Sequence, residues 1–376
     1  MNVSVYACPA YSLPDLEQAL IRIFQDFGGL EKMVPAGAPV VIKPNLVSKR
    51  PPHAAATTHP APVEALVRLL KTRTEDITFA ECPGGLNTPA ILEGVYKTTG
   101  MKDVALRYGV KICLDMTSER LHCPDGYVSK NVDTLSAIAR AKIFFNVAKL
   151  KSHALTVMTG CAKNLFGVIP GLMKAEMHAR FPDIHTFCRF VCDINRTITP
   201  TFNLLDAITV MEGNGPTGGT PKQLGALLGG TNTFAVDAAG AMLLGIDRKE
   251  IPLFQAAHDS GLFPFDTPVV VWGDSVEGLV LSDFVLPDTH SFHLFRNMPK
   301  VLQKLLRPSP SIHKKNCIGC GECVRDCPQK TISLLCTKQG KKRAKIHYKH
   351  CIRCYCCQEL CPVQAVKIKR NPVSFL

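Results

Sequence analysis

Eight cysteines near the C-terminus constrain this chain more than any other feature. They read Cys317-x2-Cys320-x2-Cys323-x3-Cys327-Pro328 and Cys351-x2-Cys354-x2-Cys357-x3-Cys361-Pro362. A cubane 4Fe–4S cluster needs four thiolates converging on one small volume, and two-residue gaps let a tight loop aim three of them. In the bacterial run of this type the fourth cysteine serves the other cluster. The expected ligand sets are therefore Cys317, Cys320, Cys323 and Cys361 for one cluster, and Cys351, Cys354, Cys357 and Cys327 for the second. Zinc also uses paired Cys-x2-Cys motifs. Two complete runs, each closed by Cys-Pro, favour iron–sulfur clusters over it. Cys336 and Cys356 fit no ligand position, and packing is the role expected of Cys356.

At 376 residues the chain exceeds the usual single core, so two domains are expected. The boundaries read from composition are an α/β domain over 1–285, a proline-punctuated linker over 286–310 and a ferredoxin-like module over 311–376. No apolar run approaches bilayer length. The N-terminal stretch lacks the basic start and apolar core of a signal peptide. With 17 cysteines, nine of them not at the eight motif positions, a reducing cytoplasm is the expected setting rather than a secreted disulfide scaffold.

The net charge of +13 is concentrated in the tail, where residues 307–376 hold 15 Lys and Arg against 3 Asp and Glu. Each oxidised cluster with its thiolates offsets about two of those charges. A basic electron-transfer module suits an acidic redox partner, with association that weakens in salt. Nucleic acid is disfavoured, because the tail lacks clustered aromatic platforms.

The first 285 residues alternate short β-branched runs (Val3–Tyr6, Val40–Ile42, Ile77–Ala80, Lys111–Leu114, Ile143–Val147, Val269–Trp272) with stretches of helical spacing such as Leu13–Phe27, Pro62–Leu70 and Pro89–Thr98. That alternation predicts an α/β fold: a large, mostly parallel sheet, followed by a small α+β ferredoxin-like domain. Strand ends carry Lys43-Pro44-Asn45, Glu81-Cys82-Pro83-Gly84-Gly85 and Lys149-Leu150-Lys151-Ser152-His153, where ligands gather in such sheets. No G-x-G-x-x-G fingerprint follows a strand, which argues against an ordinary dinucleotide site.

Between Asn146 and His178 cationic groups are interleaved with apolar ones. Two readings compete: a solvated helix face, or a pocket for a carboxylate or phosphate. In the pocket reading Lys43, Asn45, Lys149, Lys163, Asn164 and Lys174 bind the anion. His153, His178 and Lys151 carry proton chemistry, the histidines being alternatively metal ligands. Glu212 is the one carboxylate of the glycine-rich segment 211–219, which reads either as a ligand loop or as a strand-to-strand connector.

The segments KPNLV at Lys43, THP around His59, KLKSH at Lys149, TGCAKNLFGVIPG at Thr159, MEGNGP at Met211 and VDAAGAMLLG at Val236 resemble the family of domain of unknown function 362. Its members are often fused to a ferredoxin module, and their reaction is undefined. The family is similar, at a distance, to the nickel-pincer lactate racemase group. That relationship implies His153, His178 and Lys151 as pocket residues, but no residue-by-residue match carries nickel over. Three functions stand from the sequence: a ferredoxin-coupled oxidoreductase with two 4Fe–4S clusters, a non-redox enzyme on an anionic metabolite with structural clusters, and a maturation or electron-delivery scaffold.

Overall fold

The computed structural model describes residues 1–290, 307–337 and 340–369. Its large domain is built on a nine-stranded sheet. In chain order the strands are β1 (Asn2–Ala7), β2 (Val40–Pro44), β3 (Ile77–Phe79), β4 (Lys111–Ile112), β7 (Ile143–His153), β8 (Val157–Thr159), β9 (Phe202–Glu212), β10 (Thr220–Gly230) and β11 (Val270–Gly273); β5 (Ser118–His122) and β6 (Asn131–Leu135) form a separate hairpin. The spatial order is β11-β1-β10-β9-β7-β2-β3-β4, with β8 folded back on the end of β7. Five neighbouring pairs are parallel, and β10 and β8 run against their neighbours. The sheet is thus mostly parallel, as the alternating pattern requires.

Helix Leu13–Asp26 shows why the covering layers form. Leu16, Ala19, Leu20, Ile23 and Phe24 are buried at the spacing of one helical face, and Pro14 sits in the first turn, where its missing N–H costs nothing. Burying each large side chain of such a face contributes about 2 kcal/mol. Helix Pro60–Lys71 repeats the pattern with Val63, Leu66, Val67 and Leu70, and the His59 ring accepts from Ala61 N–H at its start.

Two readings left open by the sequence are narrowed here. Lys149, Lys151 and His153 lie on the long strand β7, each about 1% exposed, so the solvated-helix-face reading fails for them. The run Asn203–Val210 is strand β9, and the glycine-rich segment after it connects β9 to antiparallel β10.

The cysteine-rich module repeats itself at an offset of 34 residues. Helix Glu322–Arg325 corresponds to helix Cys356–Glu359, and left-handed Gly319, Gly321 and Lys330 correspond to left-handed Arg353, Tyr355 and Gln364. Strand β12 (Ser309–Ile312) pairs with β15 (Val366–Lys369), while β13 (Ile332–Cys336) and β14 (Lys342–Ile346) form an antiparallel hairpin. The module is docked on the large domain: Tyr355 and Ile368 join the main core, and Arg50 donates to the Cys361 carbonyl at 2.6 Å. The connector loop completes the seam, with Gln358 Nε2 donating to the Asn214 carbonyl at 2.7 Å and Gln364 Nε2 to the Thr217 carbonyl at 2.8 Å. Of the linker expected over 286–310, residues 291–306 lie outside the described residues, as do Lys338 and residues 370–376.

Candidate functional site

The chain leaves β2 for β3 and β4 on one side, whereas β7 and β9 add on the other. Such a reversal opens a crevice beyond the carboxyl ends of the strands. A cavity of about 100 Å³ sits there, lined by Asn45 after β2, Glu81 and Cys82 after β3, and Lys151 and His153 from β7. Helix Met173–Arg180 presents Lys174 and His178, four residues apart and therefore on one face. The cysteine-rich module supplies the remaining wall through Asp326, Cys356, Glu359 and Leu360. On helix Cys356–Glu359 and its cap, positions 356, 359 and 360 share the face turned to this cavity, while Cys357 and Cys361 face the cysteine-lined spaces.

The lysines differ in their partners. Lys43 is fully buried and paired with Glu81, which it reaches across the end of β3. Burial pushes the Lys43 ammonium down and the Glu81 carboxyl up, and their contact opposes both shifts. Gly167 lies against them: a Cβ there would come within 2.4 Å of Lys43 Nζ. Lys149 is bound to Asp206 at 2.8 Å and to the Tyr11 hydroxyl at 2.8 Å, and does not line the cavity. Breaking such a buried pair costs about 3–5 kcal/mol, so Lys149 is a structural cation. Lys174 donates to the carbonyls of Cys82 and Pro83. Glu212 is likewise engaged elsewhere, with Val285 N–H and Lys222.

Among the described residues Lys151, Lys163 and Lys174 line the cavity without an ion pair, and Lys174 is committed to two backbone carbonyls. Lys151 donates to Asn45 Oδ1 at 2.8 Å and to the Ala56 carbonyl. Burial first, then the charge of Lys163, lowers its pKa to about 7. Among the described residues Lys163 has no hydrogen bond or ion pair, only a cation–π contact with Phe166 at 5.8 Å. Glu359 is the carboxylate that acts on both lysines from longer range.

Burial favours the neutral form of both histidines. His153 Nδ1 accepts from Leu155 N–H at 3.0 Å, which places its proton on Nε2. That nitrogen is buried 3.3 Å from Glu359 Oε1, out of line for a hydrogen bond. Burial, reinforced by Lys163, Lys151 and His178, holds the imidazole well below its usual pKa. His178 stacks on Phe187 at 4.4 Å, and burial together with Lys163 lowers it to about 3.

An amide relay fixes the floor. Asn203 Oδ1 accepts from Asn146 Nδ2 (2.8 Å), Asn146 Oδ1 from Asn164 Nδ2 (2.8 Å), and Asn164 Oδ1 from Asn45 Nδ2 (2.8 Å) and Lys43 (3.2 Å). Asn45 therefore turns its oxygen to Lys151. Asp237 anchors the neighbouring helix Cys161–Asn164 by accepting from Cys161 and Ala162 N–H at 2.5 and 3.0 Å; a Cβ on Gly160 would come within 2.2 Å of that carboxylate.

The cysteines gather around two further cavities. Cys317, Cys320, Cys323 and Cys361 line one, and Cys327, Cys351, Cys354 and Cys357 the other. Backbone N–H groups point at their sulfurs from Ala344 to Cys317 (3.5 Å), Thr331 to Cys327 (3.4 Å) and Ala365 to Cys361 (3.1 Å). Thiolate donors with N–H···S support in largely apolar surroundings fit an iron–sulfur cluster.

Of the residues expected in a pocket, Asn45, Lys151, His153, Lys163, Asn164, Lys174 and His178 meet at the cavity. Glu81, Cys82, Cys356 and Glu359 line it too and received no such role from the sequence. Glu81 and Cys82 had a signal in their position after a strand. Glu359 had none, because only the docking of the module brings it there.

The model of the family described as domain of unknown function 362 matches residues 40–242, just over half of the chain, and that of a 4Fe–4S dicluster domain matches residues 316–365. The thylakoid-associated protein sll1697 of Synechocystis sp. is 27% identical over 307 residues, covering 81% of this chain and 94% of that protein. Among solved structures, the lactate racemase apoprotein of Thermoanaerobacterium thermosaccharolyticum aligns at 12% identity over 63% of this chain, with a TM-score of 0.40. A Thermotoga maritima protein aligns at 12% identity over 55% of the chain, with a TM-score of 0.35. The chain spans about half the length of each, 55% and 53% respectively. No helix among the described residues is long and apolar enough to cross a membrane.

Proposed function

The chain belongs to the family of domain of unknown function 362, here joined to a 4Fe–4S dicluster domain, and we propose that it is a ferredoxin-coupled oxidoreductase acting on an anionic substrate. One observation carries the reading. The short helix Cys356–Glu359 stands in the wall that the cysteine-rich module gives the lysine-rich cavity, with Cys357 turned to a cysteine-lined space and Glu359 to the cavity.

Two clusters with crossed ligation fit the two cysteine sets, each drawing three thiolates from one run and the fourth from the other. When bound, the clusters supply one-electron transfer. The protein's residues do the rest. Lys163 and the His153 Nε2–H hold the anionic group, Lys174 fixes the Cys82–Pro83 turn that closes the cavity, and the Phe166 and Leu360 side chains limit water. Electrons arrive from an acidic redox protein, favoured by the exposed Lys341, Lys342 and Lys345 of the β13–β14 hairpin.

Calorimetric titration of the anaerobically loaded protein with phosphate and small carboxylates tests the pocket. Saturable binding that Lys163→Met weakens at least tenfold is expected. Absence of binding by any of them, or indifference to Lys163, overturns the anionic-substrate reading.

A further inference from the structure

We propose that Lys151 is a nucleophilic amine, and that the substrate class of the cavity is a small 2-oxo acid which Lys151 captures as an imine. The proposal deepens the anionic-substrate reading and rests on it.

The hydrogen-bond inventory around Lys151 is the starting point. A neutral amine has two N–H bonds and one lone pair. Asn45 Oδ1 and the Ala56 carbonyl take both N–H bonds, and neither acceptor is free to turn away. Asn45 is fixed because its amide nitrogen is committed to Asn164, and Asn164 to Asn146 behind it. Ala56 belongs to a buried backbone segment, 55–58, whose Thr58 hydroxyl is tied to the Val147 carbonyl. With both hydrogens directed into protein, the lone pair is left to the remaining side of the nitrogen, and Lys151 lines the cavity.

The other buried lysines are built differently. Lys43 and Lys149 each contact a carboxylate, whose charge favours the ammonium form. Among the described residues Lys151 has no ion pair, and the cation nearest in effect is Lys163. A desolvated lysine beside a second cation is the arrangement that keeps an amine nucleophilic near neutral pH. The same Lys163, with the His153 Nε2–H, supplies a place for a carboxylate adjacent to the carbon that Lys151 would attack. A cavity of about 100 Å³ admits a molecule with a carboxylate and a vicinal carbonyl and little more.

The step balances without an external reagent. The Lys151 lone pair forms the C–N bond as the carbonyl π bond opens onto oxygen, and a nitrogen-bound proton passes to that oxygen. The Lys163 ammonium gives a second proton, the C–O bond breaks, and oxygen leaves as water. A protonated imine and a neutral Lys163 remain.

The test uses the anaerobically loaded full chain with glyoxylate and cyanoborohydride, read by peptide mass spectrometry. Lys151 should be alkylated at least tenfold faster than exposed lysines such as Lys349, with the rate falling when phosphate is added and in Lys163→Met. Modification spread evenly over surface lysines, or falling on Lys163 instead, overturns the proposal. If phosphate still binds while Lys151 gains no adduct, the imine assignment fails and the anion site stands. If Lys151 is modified selectively but phosphate neither binds nor competes, the anion site fails and the amine chemistry stands.

Discussion

The carboxylate of Glu359, carried by the cysteine-rich module, lies 3.3 Å from Nε2 of His153 on strand β7 of the large domain. Two residues more than 200 positions apart thus share one cavity wall. Glu359 follows Cys357 by two residues and precedes Cys361 by two, so the backbone that positions the expected cluster ligands also positions a group in the cavity. Any shift of that helix is felt on both sides.

Glu359 is the module's contribution to the charge balance of Lys151 and Lys163. Glu359→Gln removes a negative charge facing both lysines while keeping the side chain's shape. Phosphate should then bind more tightly by about tenfold, the scale of one added charge interaction of ~1–2 kcal/mol in a partly buried site. Calorimetry on the two proteins measures this, and equal affinities would show that Glu359 does not face the anion site.

His178 makes stability depend on pH. Its folded pKa is lowered to about 3 by burial and Lys163, below the ordinary 6.5 of the unfolded chain. The unfolded state therefore binds the proton first, and stability falls as pH drops from 6.5 toward 3. Between pH 6.5 and 5.5 the loss from this residue is about 1 kcal/mol. Denaturant unfolding of the wild type and His178→Gln over that window should show a smaller slope for the variant.

Asp237 should matter far from any ligand. Asp237→Ala strips the acceptor from Cys161 and Ala162 N–H at the start of helix Cys161–Asn164. Two buried donors left unpaired predict a loss of about 2–4 kcal/mol, visible as a lower denaturation midpoint. Because that helix carries Lys163 and Asn164, phosphate affinity should fall as well.

Much of this was legible in the residues. The β-branched runs and the helical spacing of Leu16 to Phe24 record a layered sheet, because burial on one face is what those patterns encode. The cysteine spacing, read through the bacterial two-cluster run, predicts Cys361 beside Cys317, Cys320 and Cys323 of the first run, and these four cysteines line one cavity. The rest depends on contacts distant in sequence. Lys149 and Lys151 are two residues apart and identical in type, yet Asp206 claims one, and the other meets only neutral acceptors. Nothing local separates them. Glu359 enters the cavity only through the docking of Tyr355, Gln358 and Gln364 on the large domain.

The basic hairpin should govern encounter with a reductant protein. Lys341→Glu, Lys342→Glu and Lys345→Glu together reverse three exposed charges on β14 and its turn. Reduction by an acidic flavodoxin or ferredoxin should slow by about tenfold or more at low ionic strength. The effect should fade toward 1 M salt, where the screening length is about 3 Å. Stopped-flow rates that ignore both charge and salt would remove the hairpin from the docking surface.

The central claim is that the cavity and the clusters act as one site, and the cluster midpoint potential with and without anion tests it most directly. An anion held by Lys163 and His153 adds negative charge beside a cluster and makes reduction harder. By linkage the oxidised protein must then bind that anion more tightly, and a tenfold affinity difference corresponds to about 59 mV for a one-electron couple. Mediated potentiometry followed by electron paramagnetic resonance should show a downward shift on adding phosphate to the wild type and none in Lys163→Met. A potential unchanged by saturating phosphate in the wild-type protein would contradict the account.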